Sequence, residues 1–281
     1  MSEILVSTEW LAERLTDPQV VVADTRWYLQ GKRGIDEYRA GHLPGAVFLD
    51  VDVDLSEPPG SGRPGRHPLP SHDRFAAVLA RIGVRHGTLV VGYDDEGGAL
   101  AARLWWLLRH FGLNVGRVLD GGLAAWKAEG RPLETADAAR RPASRLALTP
   151  RPERVIGKQR LVELLREPGT LLLDGRPADR FRGENETVDA RAGHIPGAKS
   201  AFVGDNLVEP NGRFLAPAAL AERFAALGAN EARTVVCHCG SGVKACHNVL
   251  ALTLAGRPEA LLYEGSWSEW AGDKDLPAEL G

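Results

Sequence analysis

The chain has 281 residues, of which 44% are hydrophobic and 25% charged, enough for two ordinary domains with cores of their own. With 34 basic and 37 acidic residues, its formal net charge is −3, which gives no general indication of a nucleic acid or membrane partner. No apolar stretch is long enough to span a bilayer, and the sequence after Met1 lacks the basic start of a secretory signal, so we expect a cytoplasmic protein.

Buried strands and helical patterns alternate along the first half of the chain. Short apolar runs predict buried parallel strands, and longer periodic stretches predict helices. In chain order, the pattern predicts a helix near Trp10–Glu13, a strand at Val20–Ala23, a helix at Ser71–Ile82, a strand at Leu89–Tyr93, a helix at Ala101–Phe111, a strand at Val118–Leu119 and a helix at Leu123–Glu129. Pro58–Gly65 is a loop by composition.

The second half repeats this series, with a period of roughly 145–150 residues. The turn Gly41–Ala46 recurs as Gly193–Ala198, and the order of strands and helices is the same. The new elements are strands at Leu171–Leu173, Thr234–Val236 and Leu261–Tyr263 and a helix at Leu215–Leu227. The sequence therefore predicts an α/β fold of two tandem domains, each a parallel sheet flanked by helices. We place the N-terminal domain at residues 1–135, a linker at 136–153 and the C-terminal domain at 154–281.

The three cysteines, Cys237, Cys239 and Cys246, fall within ten residues. An odd number so closely spaced cannot staple a fold and is typical of a reducing compartment. Reactivity or metal binding are therefore the roles that they indicate. Cys237 is more typical of a small core residue than of a partner for a disulfide or persulfide, and Cys246 is expected to be packed on a helix.

A Gly/Ser-rich turn between a strand and a helix carries Cys239. Gly240 and Gly242 permit backbone angles closed to other residues, so that successive N–H groups can cradle an anion. The N-terminus of the following helix adds positive charge. A cysteine in this position is expected to have a lowered pKa, to react as a thiolate and to hold a second sulfur atom as a persulfide.

The first copy has Asp94 at the position of Cys239 when the two strands before the loops are aligned. A carboxylate repels an anion and cannot act as a thiol nucleophile. We therefore expect the first copy to be catalytically inactive and the second to hold the site, at the carboxyl end of a strand, where ligands bind in open α/β sheets.

Motifs over nearly the full chain resemble those of tandem-domain rhodanese-family sulfurtransferases, the group that contains thiosulfate sulfurtransferase and 3-mercaptopyruvate sulfurtransferase. They are Asp24–Tyr28, Gly41–Ala46, Asp120–Gly122, Arg180–Glu184, Gly193–Gly197, the Cys239 loop and Gly265–Trp270. The resemblance implies that Cys239 takes a sulfane sulfur from a small anionic donor and passes it to cyanide or a thiol, such as that of a thioredoxin-like protein. It implies no cofactor and no metal.

The resemblance also implies that Arg180 binds the anionic group of the donor, which suits the forked donors of a guanidinium; a surface salt bridge is the alternative. The other residues expected to bind the donor are those of the loop, namely Gly240, Ser241, Gly242, Val243 and Lys244. Arg191 could supply a second cation, although its spacing differs from the family pattern. His42 and His194 are expected to be structural rather than acids or bases.

The choice of donor rests on the loop. Mercaptopyruvate enzymes of the family carry Cys-Gly-Ser-Gly-Val-Thr, whereas thiosulfate enzymes carry two cations in Cys-Arg-Lys-Gly-Val-Thr. Gly240 and Ser241 favour 3-mercaptopyruvate, and Ser241 could donate a hydrogen bond to the donor or relay a proton. Lys244 replaces the threonine of the family, and could either bind dianionic thiosulfate or point into solvent.

Three other functions were weighed. A phosphatase would need an arginine where this chain has Ala245. A zinc site would draw on Cys237, His238, Cys239, Cys246 and His247. Strand alternation, however, sends His238 away from Cys237 and Cys239, and no Cys-x-x-Cys pair is present. A non-catalytic binding module suits the first copy, but the intact Cys239 loop argues against it for the whole protein.

Overall fold

The computed structural model describes residues 4–58, 60–62, 64–139, 141–143 and 146–281. Arg140, Ser144 and Arg145 of the proposed linker, Pro59 and Arg63 of the predicted loop, and Met1–Glu3, on which the absence of a signal was argued, lie outside the described residues. No helix in the part of the chain that the structure describes has the length and apolar character needed to cross a membrane.

Strands and helices alternate as the sequence predicts. The strands are β1 (Leu5–Val6), β2 (Val20–Asp24), β3 (Val47–Phe48), β4 (Leu89–Tyr93), β5 (Gly116–Leu119), β6 (Val155–Ile156), β7 (Thr170–Asp174), β8 (Lys199–Ser200), β9 (Leu207–Val208), β10 (Arg213–Phe214), β11 (Thr234–His238) and β12 (Leu261–Tyr263). The helices are α1 (Thr8–Ala12), α2 (Gly34–Ala40), α3 (His72–Arg81), α4 (Ala101–His110), α5 (Gly122–Ala128), α6 (Lys158–Leu164), α7 (Ala178–Arg182), α8 (Pro217–Ala226), α9 (Ala245–Leu254) and α10 (Ser266–Gly272).

The chain forms two compact units, and each takes a short segment from the other half of the sequence. The first unit consists of Met1–Glu57, Leu69–Arg151 and Val208–Phe214. The second consists of Pro58–Pro68, Pro152–Leu207 and Leu215–Gly281. The exchange matters for the site, because Pro58–Pro68 comes from the half of the sequence that lacks Cys239.

Each unit contains one five-stranded parallel sheet flanked by helices, which confirms the predicted fold class. The strand order is β1-β5-β4-β2-β3 in the first unit and β6-β12-β11-β7-β8 in the second. All described pairings in both sheets are parallel. Asp24 pairs with Tyr93 in one sheet as Asp174 pairs with His238 in the other. The residues that follow, Asp94 and Cys239, therefore hold the same place in their repeats.

The two cores use corresponding residues. In the first unit, the buried strand residues Val22 and Val91 pack with Leu43 of the Gly41–Ala46 turn and with Trp126 of α5. The cluster of the second unit contains the matching residues Leu172, Val236, Ile195 and Trp270. Burial of these apolar side chains between sheet and helices drives each unit to fold.

The histidines of the two turns have the same structural role, as predicted. His42 stacks on Tyr38 with ring centroids 3.8 Å apart, and its Nδ1 lies 2.8 Å from the Tyr38 carbonyl oxygen. His194 stacks on Phe181 at 3.8 Å, with its Nδ1 2.9 Å from the Phe181 carbonyl oxygen. Each histidine thereby holds its turn against the preceding helix.

A buried ion pair lies at the end of β2 in the first unit, and an equivalent pair lies at the end of β7 in the second. Arg26 donates from Nη2 to Asp24 at 2.6 Å and to the Gly41 carbonyl oxygen at 2.9 Å. Arg176 does the same with Asp174 at 2.7 Å and the Gly193 carbonyl oxygen at 2.7 Å. Both pairs are almost completely buried, so removal of either arginine would leave a buried carboxylate without its ion-pair partner.

Replacement of Arg26 by alanine is expected to reduce the free energy of unfolding by about 3–5 kcal/mol, because Asp24 would be left buried and uncompensated. The measurement is urea-induced unfolding of the full chain. Arg33→Ala is the matched control, since Arg33 is 76% exposed and lies 3.9 Å from Asp36. The control should cost less than about 1 kcal/mol, and equal losses in the two variants would contradict the role given to the buried pair.

Candidate active site

Cys239 directly follows β11, a strand with neighbours on both sides in the sheet of the second unit. Five residues separate it from Ala245, the first residue of α9. Cys239 is only 4% exposed and is therefore shielded from bulk water. Gly242 has φ +79°, the left-handed conformation that the sequence predicted for this turn.

Helix α10 holds the loop by its backbone. The Trp267 N–H donates to the Cys239 carbonyl oxygen at 2.9 Å, and the Ser268 N–H donates to the Gly240 carbonyl oxygen at 2.8 Å. The Ser266 hydroxyl accepts the Cys239 N–H at 3.2 Å and donates to the Tyr263 carbonyl oxygen at 2.9 Å. Because these carbonyl groups are bonded to α10, the orientation of the loop backbone at Cys239 and Gly240 is fixed.

Three N–H groups of the loop remain available to a ligand. No described residue accepts a hydrogen bond from the backbone N–H of Gly240, Ser241 or Val243. Consecutive donors of this kind form a concave site for an anion. The sequence predicted such a site, and the geometry of the loop is consistent with it.

The corresponding loop of the first unit already contains an anion, the carboxylate of Asp94. Its Oδ1 accepts the N–H groups of Glu96 and Gly98, both at 2.8 Å. Its Oδ2 accepts those of Leu100 at 2.7 Å and Ala101 at 2.8 Å. Asp94 thus fills the anion position of its own loop instead of merely repelling an incoming anion. Counted from Cys239, Ser241 and Val243 are the equivalents of Glu96 and Gly98.

Arg180 lies beside the loop, where two buried carboxylates hold it. Its Nη2 donates to both carboxylate oxygens of Glu186, at 2.8 and 2.9 Å, and to Asp189 Oδ2 at 2.9 Å. Burial opposes ionisation of Glu186, but the N–H groups of Asp189 and Val188 and the Arg180 guanidinium hold the pKa of that carboxyl below its usual value. Arg180 is 15% exposed and is therefore no surface salt bridge of the ordinary kind.

Arg66 lies beside the same loop. Its Nη1 donates to Asp189 Oδ1 at 2.6 Å, so Asp189 bridges Arg66 and Arg180. A methyl group on Gly240 would lie 3.2 Å from Arg66 Nη2 and 3.9 Å from Arg180 Nη1. Among the described residues, nothing accepts a hydrogen bond from the buried Nε of either arginine. Both guanidiniums therefore keep donors for a ligand at the loop.

The suggestion that Arg191 supplies the second cation is wrong. Its guanidinium donates to four backbone carbonyl groups at 2.9–3.0 Å, and these belong to Trp270, Ala271, Asp273 and Leu276. Arg191 thus fixes the C-terminal end of α10 and the chain that follows it. Lys244 is half-buried at the start of α9 and also has interactions of its own.

Ser241 and His67 form a buried polar pair. The distance from His67 Nδ1 to Ser241 Oγ is 2.7 Å, a strong hydrogen bond, and the two side chains are only 3% and 7% exposed. A hydroxyl and an imidazole in this arrangement can pass a proton to or from a group bound at the loop.

The other two cysteines are packed in the interior. Burial raises the pKa of the Cys237 thiol, with smaller contributions from Cys246 and Cys239, so Cys237 is the core residue that the sequence favoured. Cys246 donates from its sulfur atom to the Gly242 carbonyl oxygen at 3.4 Å. Burial also lowers the pKa of His238, against the attraction of Asp174. No group of three or more His, Cys, Asp or Glu side chains that could hold a metal ion occurs among the described residues.

Sequence reasoning missed four residues of this site. Arg66 and His67 stand at the end of a segment recognised only as a loop, far from Cys239 in sequence. Glu186 and Asp189 stand in a stretch that was searched for an arginine. Their position directly after the Pro/Gly-rich segment Pro58–Gly65 was the signal available for Arg66 and His67.

Replacement of Gly242 by alanine is expected to disrupt the loop. The new methyl group would collide with the Glu264 carbonyl oxygen, and the left-handed backbone would itself be strained. The free energy of unfolding should fall by at least about 2 kcal/mol, and alkylation of Cys239 by iodoacetate should slow.

Gly256→Ala provides the matched control for that experiment. Gly256 has φ +85° and nothing within 4 Å of the new methyl group, so it reports backbone strain alone, about 1 kcal/mol. Urea titration and the alkylation rate should separate the two variants. Equal behaviour would mean that the contact with Glu264 has no importance for the loop.

Comparison with known proteins identifies the family. A family model described as a rhodanese-like domain matches residues 7–129 and 158–273. A Pseudomonas aeruginosa protein named probable 3-mercaptopyruvate sulfurtransferase is 46% identical over 280 residues, covering 99% of this chain and 98% of that protein. A Mycobacterium tuberculosis protein provisionally named thiosulfate sulfurtransferase SseB is 40% identical over 284 residues, with the same coverage. The crystal structure of SseA from Escherichia coli, described as a 3-mercaptopyruvate sulfotransferase of rhodanese fold, matches with a TM-score of 0.82 and 33% identity, covering 95% of this chain and all of that one. The chain therefore belongs to the rhodanese family of sulfurtransferases.

Proposed function

We propose that the protein moves a sulfur atom from 3-mercaptopyruvate to cyanide or a thiol through a persulfide on Cys239. The matched pair of loops carries this proposal. Asp94 places a carboxylate among four backbone N–H groups, whereas the Cys239 loop leaves the N–H groups of Gly240, Ser241 and Val243 open. The outer sulfur of a persulfide is an anion attached to Cys239, and such an anion suits those donors.

The first half of the cycle forms the persulfide. The Cys239 thiolate attacks the sulfur atom of the donor, and an S–S bond forms with the electron pair of the thiolate. The C–S bond of the donor breaks, and its electrons leave with pyruvate enolate. The enolate carbon needs a proton, and the donor thiol loses one as the persulfide anion forms. The Ser241–His67 pair can carry that proton from sulfur to carbon.

The second half returns the enzyme to its thiolate form. Cyanide or a thiolate acceptor attacks the outer sulfur of the persulfide. The S–S bond breaks, its electrons return to Cys239, and thiocyanate or a new persulfide leaves. Because donor product departs before the acceptor reacts, ping-pong kinetics are expected.

The carboxylate of the donor would be bound by arginines. Arg180 and Arg66 each keep a nitrogen near Gly240 and an unbonded Nε. Guanidinium groups suit a carboxylate because their planar donors match its two oxygens. Lys244 and the remaining loop residues stay secondary candidates for the same role.

Thiosulfate is the second candidate donor. The Mycobacterium tuberculosis relative carries that name, and guanidinium donors would also bind a sulfonate group. When thiosulfate is the donor, however, the leaving group is sulfite, a stable anion that does not need to take up a proton. The Ser241–His67 pair would then have no function in the donor step, and this favours 3-mercaptopyruvate.

We extend the proposal to the rest of the chain. The first unit is inactive as a sulfurtransferase, because Asp94 stands at the nucleophile position. A binding or regulatory role suits that unit alone. A cytoplasmic location is supported by the three free cysteines, and a thioredoxin-like protein is our candidate for the thiol acceptor. The division at residues 135 and 154 remains a prediction.

Incubation with 3-mercaptopyruvate should add the mass of one sulfur atom to the wild-type protein but not to Cys239→Ser, as read by intact-protein mass spectrometry. Cys239→Ser should also form no thiocyanate from cyanide, because the hydroxyl of serine is a far weaker nucleophile. Cys237→Ser is the control, since Cys237 is buried and its thiol is kept protonated. Turnover by Cys239→Ser, or its loss in Cys237→Ser with an intact fold, would contradict the assignment.

Arg180→Lys should raise the KM for 3-mercaptopyruvate about tenfold or more, because a charge-assisted guanidinium bond to the carboxylate is lost. The control is Arg182→Lys on the same helix, whose guanidinium pairs with Glu184 at the surface. The control should leave KM within about twofold, since exposed pairs contribute little. Initial rates of thiocyanate formation provide both values, and an unchanged KM in Arg180→Lys would remove Arg180 from donor binding.

A further inference from the structure

We infer that Asp189 limits the positive charge of the donor site and thereby makes the enzyme prefer a singly charged donor over a dianion. The inference rests on the proposed sulfurtransferase function and names a specificity-determining residue for it. It concerns a carboxylate that contacts both arginines of the site and is only 2% exposed.

The bonding of Asp189 divides its two oxygens between two cations. Oδ1 accepts from Arg66 at 2.6 Å, and Oδ2 accepts from Arg180 at 2.9 Å. Arg180 already has a second carboxylate, because both oxygens of Glu186 accept from the same nitrogen. Glu186 also lies 3.6 Å from Arg176 Nη1, so Glu186 is shared by two arginines, and Asp189 is the carboxylate that joins Arg66 to Arg180.

The charges at this point of the site cancel. Arg66, Arg180 and Arg176 contribute three positive charges, and the almost fully buried carboxylates of Asp189, Glu186 and Asp174 contribute three negative ones. A monoanion can bind the remaining guanidinium donors at modest electrostatic cost. A dianion adds twice the negative charge of a monoanion to a site that has no excess positive charge, close to buried carboxylates where water screens poorly. Lys244 is present in the wild type and in every variant below, so its charge does not change the direction in which donor preference is expected to shift.

Removal of the Asp189 charge should therefore favour the dianion. In Asp189→Asn, the ratio of kcat/KM for thiosulfate to kcat/KM for 3-mercaptopyruvate, with cyanide as acceptor, is expected to rise about fivefold or more. Asp189→Glu keeps the charge but alters the geometry, and it should keep the wild-type ratio even if both rates fall. Glu184→Gln removes a charge from the same segment at an exposed pair and should leave the ratio unchanged.

A purely structural role for Asp189 predicts a different result. If Asp189 only positions Arg66 and Arg180, both variants at this residue should lose activity with the two donors in parallel. A constant ratio in Asp189→Asn, or the same rise in Asp189→Glu, would overturn the inference.

A second readout does not depend on turnover. Cys239 is alkylated by iodoacetate, an anion, and by iodoacetamide, which is neutral, and mass spectrometry of fragment ions locates the product. The rate ratio of iodoacetate to iodoacetamide should rise in Asp189→Asn and stay constant in Asp189→Glu and Glu184→Gln. If the wild type uses neither sulfur donor, the proposed function fails, yet this ratio still tests the charge role of Asp189. An unchanged ratio in Asp189→Asn would overturn that role as well.

Discussion

The backbone of the Cys239 loop is oriented by hydrogen bonds that its own carbonyl groups make to α10. Trp267 and Ser268 donate to the carbonyl oxygens of Cys239 and Gly240, and the N–H groups of Gly240, Ser241 and Val243 have no acceptor among the described residues. The first unit uses the same bond, from the Leu123 N–H to the Asp94 carbonyl oxygen at 2.8 Å. The cradle is therefore a property of the repeated fold, and the residue at its head decides whether it holds a nucleophile or a fixed carboxylate.

Ser266, which contacts Cys239, has a strained backbone conformation. It is the one described non-glycine residue with positive φ, at +53°, and the corresponding Gly122 has φ +52°. Glycine adopts this conformation freely, whereas a residue with a side chain is strained by about 1–2 kcal/mol. In return, the Ser266 hydroxyl accepts a hydrogen bond from the Cys239 N–H, which a glycine at this position could not do. Strain retained beside a reactive group is typical of functional sites.

The parts of the molecule that depend on local pattern were predictable from sequence. Apolar runs placed β4 and β12 at their observed bounds, and the glycine spacing indicated the loop around Cys239. His67 could not be placed, since it lies 174 residues from Ser241 and its segment has no periodicity. Arg191 was misjudged for a related reason: a sequence does not reveal that carbonyl groups already occupy a guanidinium.

Two independent features of the site favour the same donor. In the proposed cycle the Ser241–His67 pair would transfer a proton, which a carbon leaving group needs and sulfite does not. The pairing of Arg66 and Arg180 with Asp189 and Glu186 leaves directional donors with no excess charge, which suits a monoanionic carboxylate. These features use different residues and different physics, one the chemistry of the leaving group and the other the charge of the bound group. A site selected for thiosulfate would require neither the proton carrier nor the buried carboxylates, so their joint presence favours 3-mercaptopyruvate more strongly than the Gly240–Ser241 pattern does alone.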